Sequence, residues 1–352
     1  MAQEEFEKLP VEGQEEKKNK KKKSGCLIAV IVALVLILAL LIAAAVGMNY
    51  FFGRLGRFEN PVPGESIGTI PEETETDPQE NVEGLESVDA SDVIFETVDV
   101  LQGDVVNIML IGQDRRPGEE RARSDSMILV SLNRKKGTIQ LTSFMRDLYV
   151  QIPGYLDTRL NAAYRYGGTD LMNETFKVNF GIEIDGNVMV DFDEFTEIIE
   201  ILGGVTLDIS SAEAKYMNRN SDNHFSTGSN YFNAEDALTF TRMRYAAGGD
   251  YGRTDRQRRV IMAIAYSLRD ADLVTIFNLI DQVLPHIVTN LTDAQIIEYA
   301  TTGLGILAGG GKIDTFRIPQ DDAHYNANIR GMAVLVPDLE MCREDLEEFI
   351  YE

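Results

Sequence analysis

Asp114 and Asp125 are the first residues in this chain whose types and spacing could do chemistry together. They lie in the stretch "IGQDRRPGEERARSDSM", between two apolar runs, "VVNIMLIG" and "SMILVSLN". Each run is short and uninterrupted, the pattern of a buried strand. Two carboxylates at the ends of neighbouring strands can share a hard cation such as Mg²⁺, which keeps waters and also takes phosphate oxygens. Arg115, Arg116, Arg121 and Arg123 stand among them. The alternative is a solvated loop with surface ion pairs, each worth ~0–1 kcal/mol. The pattern alone does not separate the two readings.

Three further stretches carry charge where it is expensive or useful. In "TSFMRDLYV", Arg146 and Asp147 follow a strand-like run, and read alone they make one ordinary salt bridge. In "TRLNAAYRYGG", Arg159 and Asn161 are polar, Tyr164 and Tyr166 can pack or stack, and Gly167–Gly168 marks a turn. "FTRMRYAAGGDYGRTDRQRRV" gathers Arg242, Arg244, Arg253, Arg256, Arg258 and Arg259, with only Asp250 and Asp255 among them. Thr254 to Gln257 fits the S/T-x-x-E/Q capping box, which predicts a helix starting at Thr254. Arg253, Arg256, Arg258 and Arg259 would then crowd a helix N-terminus, where the macrodipole is already positive. Each cation there costs roughly a few tenths to 1 kcal/mol. A bound anion, phosphate above all, removes that cost.

The arginines matter because the chain is otherwise acidic, with a formal charge of -24 over 352 residues. Residues 59–104 hold fourteen acids and no Lys or Arg, so much of the acidity belongs to that stretch. From 105 onward the basic side chains are nineteen arginines and five lysines. That bias suits bidentate binding of phosphate or carboxylate; genome composition is the alternative source. The three histidines are scattered and no cysteine cluster exists, which leaves no zinc site. No Walker loop or GxSxG elbow is present. An acidic outer domain also lacks the basic surface that nucleic acid needs.

The elements that must position these residues follow from apolar pattern. "TIQLTSF", "NVMVDF", "VTLDIS", "TFRIP" and "MAVLVP" read as further strands, with "RKKG" a hairpin turn before the first. "GGTDLMNETFKVNFG", "DEFTEIIEILGG", "NAEDALTF", "TDRQRRVIMAIAYSLRD" and "LEEFIY" read as helices, with two more over 272–286 and 292–307. Asn233 is a good N-cap. Mixed strands and helices predict a layered α/β domain with a mixed sheet.

Ahead of that domain, residues 26–47 run without a charge, about the length that spans a bilayer as a helix. Lys17, Lys18 and Lys20–Lys23 precede the run, and only Arg54 and Arg57 follow it closely. The positive-inside rule puts the N-terminus in the cytoplasm and the domain outside. Residues 1–25 are then a short basic tail, 26–47 a transmembrane helix, 48–104 an acidic extracytoplasmic linker and 105–352 the folded outer domain. Pro, Gly, Glu and Asp dominate residues 59–104, an extended, self-repelling tether whose far end, from Val93, packs on the domain. Cys26 and Cys342 sit too far apart in role to form a disulfide framework. Cys26 precedes the apolar run, whereas a lipoprotein cysteine follows it.

Taken in order, "GQDRR", "RSDSM", "SFMRDLYV", "RLNAAYRYGG", "VMVDFDEFTEIIEILGGVTLDI", "NAEDALTFTRMR" and "DYGRTDRQR" resemble the motifs of the LytR–CpsA–Psr proteins of Gram-positive envelopes. The resemblance runs from about Asp104 to the C-terminus and includes the single N-terminal span. It implies a three-layer α/β/α sandwich with an apolar tunnel for a polyprenyl chain. It also implies a membrane-anchored phosphotransferase. Such an enzyme takes an anionic glycopolymer (teichoic acid, capsule or a related polymer) from polyprenyl pyrophosphate to a peptidoglycan hydroxyl through a phosphodiester. By the same resemblance Asp114 and Asp125 hold Mg²⁺. Arg116, Arg123, Arg146, Arg159, Arg242, Arg244, Arg253 and Arg256, with Gln257, line the pyrophosphate pocket. Asp114, Arg146 and Arg244 act in catalysis, with Asp114 a weak candidate for the base because a metal-bound carboxylate accepts protons poorly. Phosphoryl transfer asks mainly for alignment and charge neutralisation, which arginines and a metal supply.

Three positions depart from the family pattern: Met145 where proline is common, Arg159 where lysine is usual, and Arg258 in place of a second glutamine. None is a metal ligand. Two other functions remain compatible with the sequence. One is a hydrolase of the same lipid, with water in place of the sugar hydroxyl. The other is a non-enzymatic envelope-binding or regulatory protein.

Overall fold

The computed structural model describes residues 56–58, 82–96, 98–113, 122–244, 248–267, 282–308 and 310–352. The apolar run 26–47, Asp114 and Arg116 lie outside them, as does most of the helix expected over 272–286. Among the described residues no helix is long and apolar enough to cross a membrane.

Two short strands come from the region before the domain, β1 (Gly56–Arg57) and β2 (Glu86–Ser87). The apolar runs then form β3 (Val105–Gln113), β4 (Ser124–Asn133) and β5 (Thr138–Phe144), each antiparallel to the next. Short strands β6 (Tyr149–Val150) and β7 (Thr158–Arg159) lead into helix α1 (Ala162–Phe180). Next come β8 (Gly186–Asp191), α2 (Phe192–Ile201), β9 (Val205–Ile209), α3 (Ser211–Asn220) and β10 (Gly228–Phe232). Helices α4 (Ala234–Arg242) and α5 (Gly249–Ser267) follow, then β11 (Val288–Thr289) and α6 (Asp293–Ala308). The chain closes with β12 (Lys312–Ile318), β13 (His324–Ile329), β14 (Met332–Pro337) and α7 (Leu339–Leu346).

The main sheet has seven strands in the order β1-β11-β8-β3-β4-β5-β12. Parallel pairs (β1 with β11, β3 with β8, β5 with β12) and antiparallel pairs both occur, so the expected mixed sheet is present. Its apolar strands are covered on both faces, as continuous hydrophobic runs require. Successive side chains of β3 point to opposite sides. Met109 and Ile111 join Met127, Leu129 and Met189 against Met172, Phe176 and Phe180 of α1 and Leu346 of α7. Ile108 and Leu110 join Val188 and Val190 against Ile198, Val283 and Ile287. Helices therefore lie on both faces of the sheet, in three layers. A second, smaller core joins α3, α4 and α5 to the β9–β10 pair.

Part of the acidic stretch packs against the domain. β2 pairs with β13, and Val88, Ala90, Val93 and Phe95 cover the β13–β14 pair.

Two local expectations are corrected. Helix α1 starts at Ala162, and the predicted turn at Gly167–Gly168 is a kink within it. More consequentially, α5 starts at Gly249, not at Thr254. Gly248 and Gly249 adopt φ of 97° and 56°, a left-handed approach that side chains oppose, and Gly252 N–H already bonds Gly248 O at 2.9 Å. Thr254 is inside the helix, where its hydroxyl donates to Tyr251 O at 2.9 Å. It caps nothing, and the arginines from 253 onward lie beyond the first turn, where the macrodipole acts.

Candidate functional site

The site forms where β3, β5 and β8 end and β4 begins. Asp125 is the second residue of β4, and Arg146 follows β5 on the neighbouring strand. That adjacency brings the Arg146 Nη1 to 2.6 Å from Asp125 Oδ1. Arg146 Nε also stands 3.4 Å from Asp147 Oδ2, and Arg159 Nη1 stands 3.9 Å from Asp147 Oδ1. The ordinary salt bridge anticipated between Arg146 and Asp147 is therefore one edge of a chain of charges, not an isolated pair. Burial opposes the charge on Arg146, but Asp147 and Asp125 outweigh it and hold the guanidinium above its usual pKa.

Helix α5 adds a second guanidinium from far along the chain. Arg253 is buried and pairs with Asp250, one turn earlier, at 3.3 Å. Its Nε has no hydrogen-bond partner among the described residues. Burial lowers the Arg253 pKa first, and then the proximity of Arg146 and Arg244; Asp250 and Asp125 only partly compensate. Four guanidiniums (Arg146, Arg159, Arg244, Arg253) thus share this corner with three carboxylates (Asp125, Asp147, Asp250). An anion there would relieve the repulsion among the cations.

One turn beyond Arg253, Gln257 accepts a hydrogen bond from Ser126 Oγ at 3.1 Å. Ser126 is next to Asp125, so this bond ties α5 to the start of β4. With its Oε1 engaged, the Gln257 amide nitrogen keeps its two hydrogens for another acceptor. Below Ser126 and Gln257 lies an apolar cavity of about 210 Å³ between the sheet and α2 and α5. Leu110, Ile128, Val188 and Val190 floor it, and Ile198, Leu202, Ile261 and Ile264 wall it. Phe192 lines its upper part, and the Arg242 guanidinium lies 4.7 Å over that ring, a cation–π contact at the rim. Arg123 is half-buried two residues before Asp125.

Arg256 takes a different place. Its guanidinium lies 3.6 Å from Glu213 Oε1 and donates to Met243 O, on the side of the second core. Arg259 also binds Glu213, at 2.8 Å, and Arg258 faces Asp255 at 3.6 Å. Helical geometry allows the split: positions 256 and 257 are one residue, about 100°, apart around the helix, so they flank Arg253 on opposite sides. Most of the arginine run that motivated an anion site is therefore matched by carboxylates, including Glu213 and Asp255. Glu213 could be placed only by structure, because it is 43 residues upstream of Arg256. Asp250 and Ser126 were likewise missed as site residues. Their signal was adjacency alone, one beside the arginine stretch and the other beside Asp125. Tyr166 does stack, with Tyr155 at 4.8 Å between ring centroids, while Tyr164 donates to the sulfur of Met189.

The donor set fits a hard cation in part. A carboxylate has two oxygens, so Asp125 can hold Arg146 through Oδ1 and still offer an oxygen ligand. Among the described residues no group of three or more His, Cys, Asp or Glu could hold a metal.

An α/β/α domain whose sheet carries an arginine- and aspartate-lined mouth over an apolar cavity is the class of protein defined here. The chain belongs to the LytR–CpsA–Psr family, whose model matches residues 70–348. It is 33% identical over 208 residues to the polyisoprenyl-teichoic acid–peptidoglycan teichoic acid transferase TagU of Bacillus cereus, covering 58% of this chain and 66% of TagU, just under two thirds of that relative. It is 30% identical over 284 residues to TagV of Bacillus subtilis, a transferase of the same description, covering 77% of this chain and 71% of TagV. The crystal structure of that TagV superposes with a TM-score of 0.56 at 28% identity, covering 71% of this chain and 99% of the crystallised TagV chain. A TagT structure with bound octaprenyl pyrophosphate lipid shares the fold, with a TM-score of 0.54 at 22% identity over 76% of this chain and 97% of TagT.

Proposed function

We propose that this chain is a membrane-anchored phosphotransferase that moves an anionic glycopolymer of the teichoic acid class from a polyprenyl pyrophosphate carrier to a peptidoglycan hydroxyl. One observation carries the reading: the Arg146–Asp125–Arg253 corner adjoins an apolar cavity through Ser126 and Gln257. That arrangement suits an amphiphile with a pyrophosphate head and a hydrocarbon tail. The family relatives TagU and TagV, named as transferases of polyisoprenyl-linked teichoic acid, support the same substrate class. The apolar run 26–47 would anchor the chain with its domain outside the cell.

In the reaction, the acceptor hydroxyl oxygen attacks the phosphorus bound to the polymer. The bridging P–O bond breaks, and polyprenyl phosphate leaves with that bond's electron pair. The hydroxyl proton passes to a base, for which Asp114 remains a weak candidate. Arg146 and Arg253, aligned in a buried corner, would hold the pyrophosphate oxygens as charge develops on them. Arg123, Arg242 and Arg244 would complete the mouth, and the Gln257 amide would donate to a phosphate oxygen. Mg²⁺, held by Asp125 and Asp114, would neutralise charge on the pyrophosphate when bound.

The test is a reconstituted reaction with lipid-linked polymer and peptidoglycan oligomers, resolved by product. Phosphodiester-linked polymer supports the proposal. Release of polymer phosphate without linkage, at equal rate with and without acceptor, overturns it in favour of hydrolysis.

A further inference from the structure

The direction in which β1 enters the sheet sets which end of the domain the preceding chain reaches. Gly56 pairs with Val288 and Arg57 with Thr289 in parallel register. β11 runs antiparallel to β8, with Val288 opposite Met189 and Thr289 opposite Val188. β8 is parallel to β3, with Met189 opposite Ile111 and Asp191 opposite Gln113. Going backwards along the chain from Arg57 to Gly56 therefore moves from the level of Val188 toward Asp191. That is the edge of the sheet where β3 and β8 end and where Asp125 and Arg146 meet. The chain preceding Gly56 arrives at the site's end of the sheet.

β1 is well fastened for a strand of two residues. Gly56 N–H donates to Ile287 O at 3.0 Å, and Phe58 N–H reaches Thr289 O at 3.4 Å. Arg57 donates to Leu291 O and pairs with Asp293 at 2.5 Å. Phe58 packs on the main core. A Cβ on Gly56 would stand 2.9 Å from Val288 Cγ2 and 3.0 Å from Ile287 O, so the close approach requires glycine. Ile287, which receives the Gly56 bond, also lines the apolar cavity.

We infer that β1 is a fastening strand that turns the mouth of the site toward the bilayer. The inference rests on the proposed anchor at residues 26–47. Only residues 48–55 separate the end of that run from β1. At ~3.3–3.6 Å per residue they reach roughly 30 Å at full extension. The long acidic stretch that follows β1 then adds nothing to the distance between domain and membrane, because the sheet is fastened ahead of it. The partner of this edge is a lipid surface carrying the pyrophosphate-linked substrate.

Energy transfer in vesicles containing lipid-borne acceptor dye tests this with the full chain in a Cys26→Ser background. A donor is placed at Asp193→Cys, exposed at the start of α2 on the site's end, or at Lys135→Cys, exposed in the β4–β5 turn at the other end. The two ends differ by about 30 Å along a nine-residue strand. Transfer about twofold or more stronger from position 193 is expected. Inserting about 20 Gly and Ser residues between Gly47 and Gly56 should close that gap, since a flexible linker of this length frees the domain. The same insertion between Phe58 and Val82 should leave it open. Equal or stronger transfer from position 135, or closure by both insertions alike, overturns the inference. Failure of the unmodified chain to float with vesicles overturns instead the anchored reading beneath it.

Discussion

Arg146 and Asp125, twenty-one residues apart, meet at 2.6 Å on neighbouring strand ends. The sequence resemblance gives them separate duties, one to the anion and one to the metal. The fold makes them a pair, so each conditions the other: the carboxylate offsets the guanidinium's charge in a buried place, and the guanidinium fixes the carboxylate's orientation.

Arg146→Lys keeps the charge but loses the fork that reaches Asp125 and Asp147 together. Transfer should fall about 100-fold or more, with the thermal unfolding profile little changed. Single-turnover transfer with saturating lipid checks it; a variant within about twofold of the parent would remove Arg146 from the chemistry.

Asp125→Asn removes a charge that both Arg146 and a cation would use. We expect weaker Mn²⁺ binding by electron paramagnetic resonance as well as slower transfer. Unchanged Mn²⁺ affinity with lost transfer would assign Asp125 to orienting Arg146 alone.

Ile198 projects from α2 into the apolar cavity. Ile198→Trp should fill much of it and weaken binding of a long-chain polyprenyl pyrophosphate by about tenfold or more, in keeping with the apolar area denied to the tail. Binding of a short prenyl pyrophosphate should be spared. Equal weakening of both ligands would show that the cavity does not take the tail.

Gln257→Glu exchanges a donor amide for a carboxylate beside the proposed pyrophosphate. Repulsion should raise KM for lipid more than Gln257→Ala does, and the difference should shrink at high salt. Identical KM values for the two variants would leave Gln257 a mere tie to Ser126.

Glu213 joins α3 to Arg256 and Arg259 of α5. Burial disfavours its charge, but the Arg259 hydrogen bond and the Ser210 backbone N–H outweigh that and hold its pKa below the ordinary 4.5. A depressed carboxylate pKa contributes stability above the unfolded value and loses it as pH falls through the folded value. Glu213→Gln should therefore cost about 3 kcal/mol near pH 7 by removing the buried carboxylate that Arg256 and Arg259 share. The gap in denaturation midpoint should narrow as pH falls below the ordinary glutamate pKa and close as pH passes through the lowered folded value. A gap that persists unchanged into acid would trace the loss to packing instead.

The sheet was legible because its strands are short apolar runs whose period and turns leave little alternative: Val105–Gln113 and Thr138–Phe144 fall where the pattern put them. Helix α2 was equally plain from Phe195, Ile198, Ile199 and Leu202. Helix α5 was not, because a capping box is a local pattern, and the Gly248–Gly249 backbone overrode it by starting the helix earlier. The strand β1 and helix α3 had too little pattern of their own, since pairing to β11 and packing in the second core create them.

By itself the sequence determined the strand runs, the candidate acids and arginines, and the family to which their order belongs. Only the tertiary structure decided which charges meet. Arg253 and Gln257 turn toward Asp125 while Arg256, on the same helix, turns toward Glu213. The apolar cavity was equally hidden, because a side chain that lines a cavity and one that fills a core are the same residue types at the same period. Charge partners and empty space are set by distances between segments far apart in the chain, and no local pattern encodes those distances.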